Sequence, residues 1–181
     1  QQKNRVCFWD RSGMGKSEKG QVPYAVEEGA KRLKQMLMSA EVQPPYVFVG
    51  HSWSNNHILP FHHLFPGEIK AVMLIDPPPF PNNSLNMCNN WWSESDHAYI
   101  DSVRKMKEVH QALCDDPFYY RNAERIDFTK STEQLLDAGN YGDMPYVLMK
   151  SSWGFSKASK PVAEGWPRDY WIKDRMHSVW G

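Results

Sequence analysis

Cysteine is scarce in this sequence: Cys7, Cys88 and Cys114 form an odd, widely spaced set. Such a set has neither the clustered spacing of a zinc site nor the even count of a disulfide framework, so reduced thiols are expected. A surplus of charge is missing too, with 21 basic residues against 21 acidic. That balance removes the electrostatic case for nucleic acid or an anionic membrane surface as partner. No apolar run approaches the roughly 18 residues of a membrane span, and no signal peptide opens the chain. His57, His62 and His63 lie at offsets of five and six, not the four of a helical metal pair, so surface or partly buried histidines are expected. Tryptophan and proline, by contrast, are plentiful, at eight and thirteen. They point to an aromatic-lined interior or pocket with many loops. Asn82-Asn83-Ser84 fits a glycosylation sequon, a triplet that chance often supplies.

The chain is organised around Pro45–Ser54. Tyr46–Val49 is a run of β-branched and aromatic residues between prolines and a glycine, the pattern of a strand covered on both faces. Gly50-His51-Ser52-Trp53-Ser54 follows, of the form Gly-x-Ser-x-small. In a strand-to-helix turn that tight, the central serine takes a strained backbone conformation with its hydroxyl projecting above the sheet. The flanking residues must be small because the strand and the next helix nearly touch.

Upstream, Arg5–Trp9 reads as a second apolar strand feeding the glycine-rich turn Asp10–Ser17. Two readings compete there. Gly15-Lys16-Ser17 supplies the ending of a phosphate loop, and Ala71–Asp76 can pose as its magnesium-binding strand, but Asp10 stands where that loop needs its first glycine and would repel phosphate. The other reading is Asp-x-x-Gly-x-Gly-x-Ser. Between the two blocks Tyr24–Ser39 is an amphipathic helix, with Val26, Ala30, Leu33 and Leu37 as its stripe. Asn55–Phe65 is the helix that the serine turn opens, with Pro60 expected to kink or shorten it. Ala71–Ile75 is a buried strand ending at Asp76, and Tyr146–Met149 is a further strand.

Asp10–Ser17, Pro45–Ser54 and Phe65–Pro77, in this order and spacing, resemble the α/β-hydrolase superfamily. The resemblance covers residues 5–78 and, more loosely, Gly142–Met149. It implies an α/β architecture: a partial α/β-hydrolase fold, mainly parallel sheet with flanking helices and a helical cap insertion. Residues 1–78 and 142–181 would form an incomplete core and 79–141 the cap or lid. Within 79–141, helices are expected over Ser93–Cys114, Pro117–Arg125 and Ser131–Ala138, the last opened by Ser131 and Gln134 as a capping box. Trp91, Trp92, Phe118, Tyr119 and Tyr120 would line an apolar acyl or leaving-group pocket.

The chemistry of such a fold needs a serine, a histidine to take its proton, a carboxylate to orient that histidine, and two amides for the oxyanion. Ser52 is the nucleophile in this resemblance and the amide of Trp53 one oxyanion donor, with His51 an adjacent shell residue. Most of the superfamily places the acid after the strand at 146–149, where Lys150–Gly154 has no carboxylate. The acid is therefore assigned to Asp76, at the strand end on the same rim as Ser52. His177, the C-terminal histidine on the helix expected over Trp166–His177, is the candidate base. The His-Gly segment and the last strand of the family are not found, so the sequence reads as an internal piece of a longer hydrolase, marginally stable and weakly active alone. The function implied is a cofactor-independent, metal-free serine hydrolase acting on a small apolar ester through an acyl-enzyme. Serine at position 52 argues against epoxide or haloalkane chemistry, which uses aspartate there. A non-catalytic small-molecule binding protein on the same fold is the alternative, with the phosphate loop behind it.

Overall fold

The computed structural model describes residues 5–77, 108–109 and 111–149. Helix α1 (Val26–Ser39) leads to strand β1 (Tyr46–His51), a single 3-10 turn (Ser52–Ser54), helix α2 (Asn55–Leu64) and strand β2 (Ile69–Ile75). Helix α3 (Phe128–Ala138) and strand β3 (Tyr146–Met149) complete the described elements. The strands form one parallel sheet in the order β1-β2-β3. Val47 to His51 pair with Ala71 to Ile75, and Val72 to Ile75 pair with Tyr146 to Met149. Among the described residues no helix is long and apolar enough to cross a membrane.

The stripe of α1 does what its spacing requires. Ala30, Leu33 and Leu37 join Tyr46, Ile58, Phe61, Ile69, Val72 and Leu74 in the main core, while Val26 packs with Leu59, Leu135 and Ala138. Alternation along the strands sends Tyr46, Gly50, Val72 and Leu74 to this helical side. The opposite face is open: Val47 and Val49 are 62% and 63% exposed, and Val147 and Met149 are exposed as well. The expected cover on both faces is thus present on one among the described residues. The reason is topological. Parallel neighbours are joined by crossovers of one hand, so β1-β2-β3 in sequence order puts both connections on the same side, where α3 packs on α1 and α2.

Three further expectations change. Arg5–Trp9 is not a strand; Val6 and Phe8 are exposed and, among the described residues, its backbone pairs with no sheet edge. Residue preference alone makes no strand without a partner. Pro60 does not end α2, which runs through it because the consecutive residues Asn55–Phe61 are all buried. Packing on that scale outweighs the local loss of one helical hydrogen bond. Cys114 is in a disulfide, whereas Cys7 is a free exposed thiol. Spacing gave no hint of that bond, because it depends on tertiary proximity.

Helix α3 starts earlier than its expected capping box. Asp127 is its N-cap, accepting from the amide of Lys130 at 2.9 Å. Ser131 and Gln134 serve another helix instead. Ser131 Oγ accepts from the Val26 amide at 3.2 Å and Gln134 Oε1 from the Glu27 amide at 3.1 Å, so α3 caps α1, whose own N-cap Ala25 offers no side-chain acceptor. Ser131→Ala leaves the buried Val26 amide without an acceptor. It is expected to cost about 1–3 kcal/mol in urea unfolding, whereas a role confined to α3 itself would leave the midpoint near that of the wild type.

Candidate active site

The carboxyl end of β1 meets α2 at close quarters. A β-carbon on Gly50 would lie 2.6 Å from Cδ1 of Ile58 and 2.9 Å from Cβ of Ser54. These contacts are why positions 50 and 54 must be small. Between them Ser52 has φ +49°, a left-handed conformation that a residue with a β-carbon adopts only when its surroundings impose it, and its side chain is exposed. The short 3-10 turn then delivers the chain into α2. Strand, strained serine and helix follow one another as the motif requires.

Asp76 stands beside this turn. It follows Ile75, the residue paired with His51, so Ser52 and Asp76 occupy neighbouring positions on one rim of the sheet. Its backbone is also left-handed, at φ +44°, and its amide donates to the Met149 carbonyl at 2.6 Å, anchoring it to the end of β3. Trp53 is half-buried. Its ring meets Phe128 edge-on at 5.8 Å and touches both smaller core clusters, with Nε1 buried and unpartnered. The residue after the serine is therefore pinned to the first turn of α3. His51 is exposed, on the open side of the sheet. His177, Trp91 and Trp92 lie outside the described residues. Phe118 and Tyr120 are exposed, with Arg125 over the ring of the first and Arg121 over that of the second.

The glycine-rich turn does not have the form of a phosphate loop. The carboxylate of Asp10 lies against Gly15, where a β-carbon would come within 2.3 Å of Oδ2. It accepts from the Lys16 amide at 3.3 Å, and Ser17 Oγ donates to the Asp10 carbonyl at 2.7 Å. The anion held by this loop is its own side chain. No helix opens after Ser17; the next begins at Val26, so the helix N-terminus that a phosphate loop needs is absent. The nucleotide reading falls on both counts.

Two residues escape the sequence reading. Glu124 accepts two bonds of 2.7 Å from Arg11 and one of 3.0 Å from the Tyr24 hydroxyl, tying the glycine-rich turn, the approach to α1 and the turn before α3 together. Burial opposes the charge on Glu124, but the bonds and charge of Arg11 prevail and hold its carboxyl below the usual range. Burial, then Glu124, pushes the Tyr24 hydroxyl well up. His57 is the second. Far from lying at the surface, it is 2% exposed, while His62 is part-buried and His63 exposed. No local pattern announces a tie across 113 residues. Among the described residues no group of three potential ligands could hold a metal ion.

No family model matches the chain. Over 157 residues it is 38% identical to Uncharacterized protein YqjL of Bacillus subtilis (strain 168), a match taking in 81% of this chain and 51% of that protein. The chain spans about half the length of YqjL, and less of the other curated relatives it matches. Among solved structures it is similar to Cfl2 wild-type from Burkholderia cenocepacia, with a TM-score of 0.45 and 13% identity over 77% of this chain and 60% of that one. It is also similar to a mutant haloalkane dehalogenase DatA from Agrobacterium tumefaciens C58, with a TM-score of 0.45 and 14% identity over 86% of this chain and 66% of that one. The parallel three-stranded sheet and its flanking helices match a partial α/β-hydrolase fold.

Proposed function

We propose that the protein is a serine hydrolase that cleaves a small apolar ester or related acyl compound through an acyl-enzyme on Ser52. One observation carries this reading: an exposed serine at φ +49° on the turn between a sheet strand and a helix, with Asp76 at the adjacent strand end. In the proposed reaction Ser52 Oγ attacks the acyl carbon while its proton passes to a histidine, for which His177 is the candidate. The oxyanion is held by the Trp53 amide, and the leaving alcohol takes the proton as the carbon–oxygen bond breaks. Water then repeats the steps and frees the acid. Asp76 orients the histidine and supports its charged form. Residues 79–141 are proposed to cover the rim as a lid, with Trp91 and Trp92 against the acyl group. The contact of α3 with Trp53 supports a link between that segment and the turn.

Hydrolysis of a short-chain p-nitrophenyl ester tests the proposal. Ser52→Gly is an informative variant, because it removes the hydroxyl and glycine accepts the left-handed backbone without the strain that any β-carbon brings there. The expected result is turnover in the wild type, falling by at least about a thousandfold in Ser52→Gly, at equal or slightly higher stability. Turnover that survives in Ser52→Gly rejects the nucleophile. A pocket that binds esters without cleaving them favours the binding-protein alternative.

A further inference from the structure

His57 lies in a setting that the ester chemistry does not use. Neither ring nitrogen has a hydrogen-bond partner. A β-carbon on Gly29 of α1 would sit 2.5 Å from Nδ1 and 3.5 Å from the Tyr24 ring, so the imidazole presses on bare helix backbone. Trp9 stands edge-on at 5.7 Å, its plane turned by 83°. The charges that face the ring come from other elements: Arg11 from the glycine-rich turn and Glu124 from the turn ahead of α3. Tyr24, from the approach to α1, donates its hydroxyl to that same Glu124. The neutral ring already has one N–H without an acceptor. A second proton would add an unpartnered cation beside Arg11, in a place sealed from water.

We propose that His57 is a proton-operated latch on the Trp9–Ser17 loop: a proton taken from water by the free ring nitrogen drives Trp9 and Arg11 off the α1–α2 pair. The loop is the lightest cover over the ring. It contains no helix or strand, and Trp9 packing and the Arg11–Glu124 pair hold it down. The α1–α2 pair, by contrast, is locked by Ala30, Leu33, Ile58 and Phe61. Burial, followed by the charge of Arg11, lowers the ring pKa from 6.5 to about 4, with Glu124 acting in the opposite sense. An opened, hydrated ring returns to an ordinary value of about 6.5. Opening therefore takes up a proton between these limits, and the closed loop loses stability as pH falls from about 6.5 towards 4, by up to about tenfold in the opening constant per pH unit. Glu124 loses its tie only at lower pH, since its carboxyl is already held below the usual range. His62 is shifted down by burial and by His63, so it destabilises in the same window, but at the other end of α2.

The test is hydrogen-exchange protection of the hydrogen-bonded loop amides of Gly13, Met14, Lys16 and Ser17, measured against amides of α1 from pH 7.5 to 4.5, in a His62→Gln background. The expected result is loop protection that falls about tenfold per unit below pH 6 while α1 protection holds, and that becomes flat in His57→Phe or, if the larger ring folds poorly, in His57→Gln. Loop protection that parallels α1 at every pH overturns the proposal, as does the same acid loss in a folded His57 variant. Should neither variant fold, ring proton shifts in the parent protein decide: a midpoint near 6.5 with the loop still protected contradicts the latch, and loop opening that coincides with ring protonation supports it.

Discussion

Gly50→Val is expected to lower the stability of the fold by about 3–5 kcal/mol, read as a drop in the urea midpoint at unchanged slope. The estimate follows from two contacts of unequal give. Ile58 Cδ1, 2.6 Å from the new β-carbon, is the free end of a side chain and can rotate. Ser54 Cβ, at 2.9 Å, is fixed to the backbone of the turn, so relief there means moving strand and helix apart. Overpacking costs about 1–3 kcal/mol for a modest insertion, and valine adds two further carbons in the same space. The proximity also makes a signed coupling. Ser54→Gly should recover part of the loss in Gly50→Ala, on the order of 1 kcal/mol, although alone it stabilises nothing. Additive effects at positions 50 and 54 would show that the strand and the helix do not touch there.

Asp76→Asn is expected to slow ester acylation by roughly 10^3–10^4-fold, the cost of holding a catalytic histidine in the wrong tautomer. Asparagine is the right replacement for a physical reason. Position 76 has φ +44°, and asparagine tolerates the left-handed region better than alanine or valine. The strand end and the bond from the residue 76 amide to the Met149 carbonyl should therefore persist, and urea unfolding measured beside the rate separates the loss of the carboxylate from a loss of fold. A rate that falls with stability unchanged assigns the carboxylate to the chemistry. Full activity in Asp76→Asn would move the acid to another residue.

Local patterns were legible wherever one segment settles its own fate. The spacing of Val26, Ala30, Leu33 and Leu37 gave the face of α1, and Gly-x-Ser-x-Ser gave the turn at Ser52. Apolar runs gave β1, β2 and β3. Failures occurred where the outcome depends on a distant partner. Arg5–Trp9 has strand-forming residues but pairs with no strand among the described residues. Ser131 and Gln134 look like a box for their own helix, yet they accept from amides of Val26 and Glu27, more than a hundred residues away. The Arg11–Glu124–Tyr24 tie and the burial of His57 are of the same kind. A charge pair and a lone histidine carry no periodicity, so nothing in the order of residues distinguishes them from solvated ones. At the candidate site the division is similar. Ser52 and its small neighbours are a local motif, and the rim position of Asp76 follows from parallel pairing, but the tethering of Trp53 by Phe128 rests on tertiary packing alone.

The most direct measurement is covalent labelling of the folded chain with a fluorophosphonate, followed by intact mass and peptide mapping. A single adduct on the hydroxyl of Ser52, absent from a folded Ser52→Gly variant, is the expected result. An unlabelled chain whose cooperative unfolding shows it to be folded, or an adduct mapped to any other residue, would contradict the assignment of Ser52 as the nucleophile.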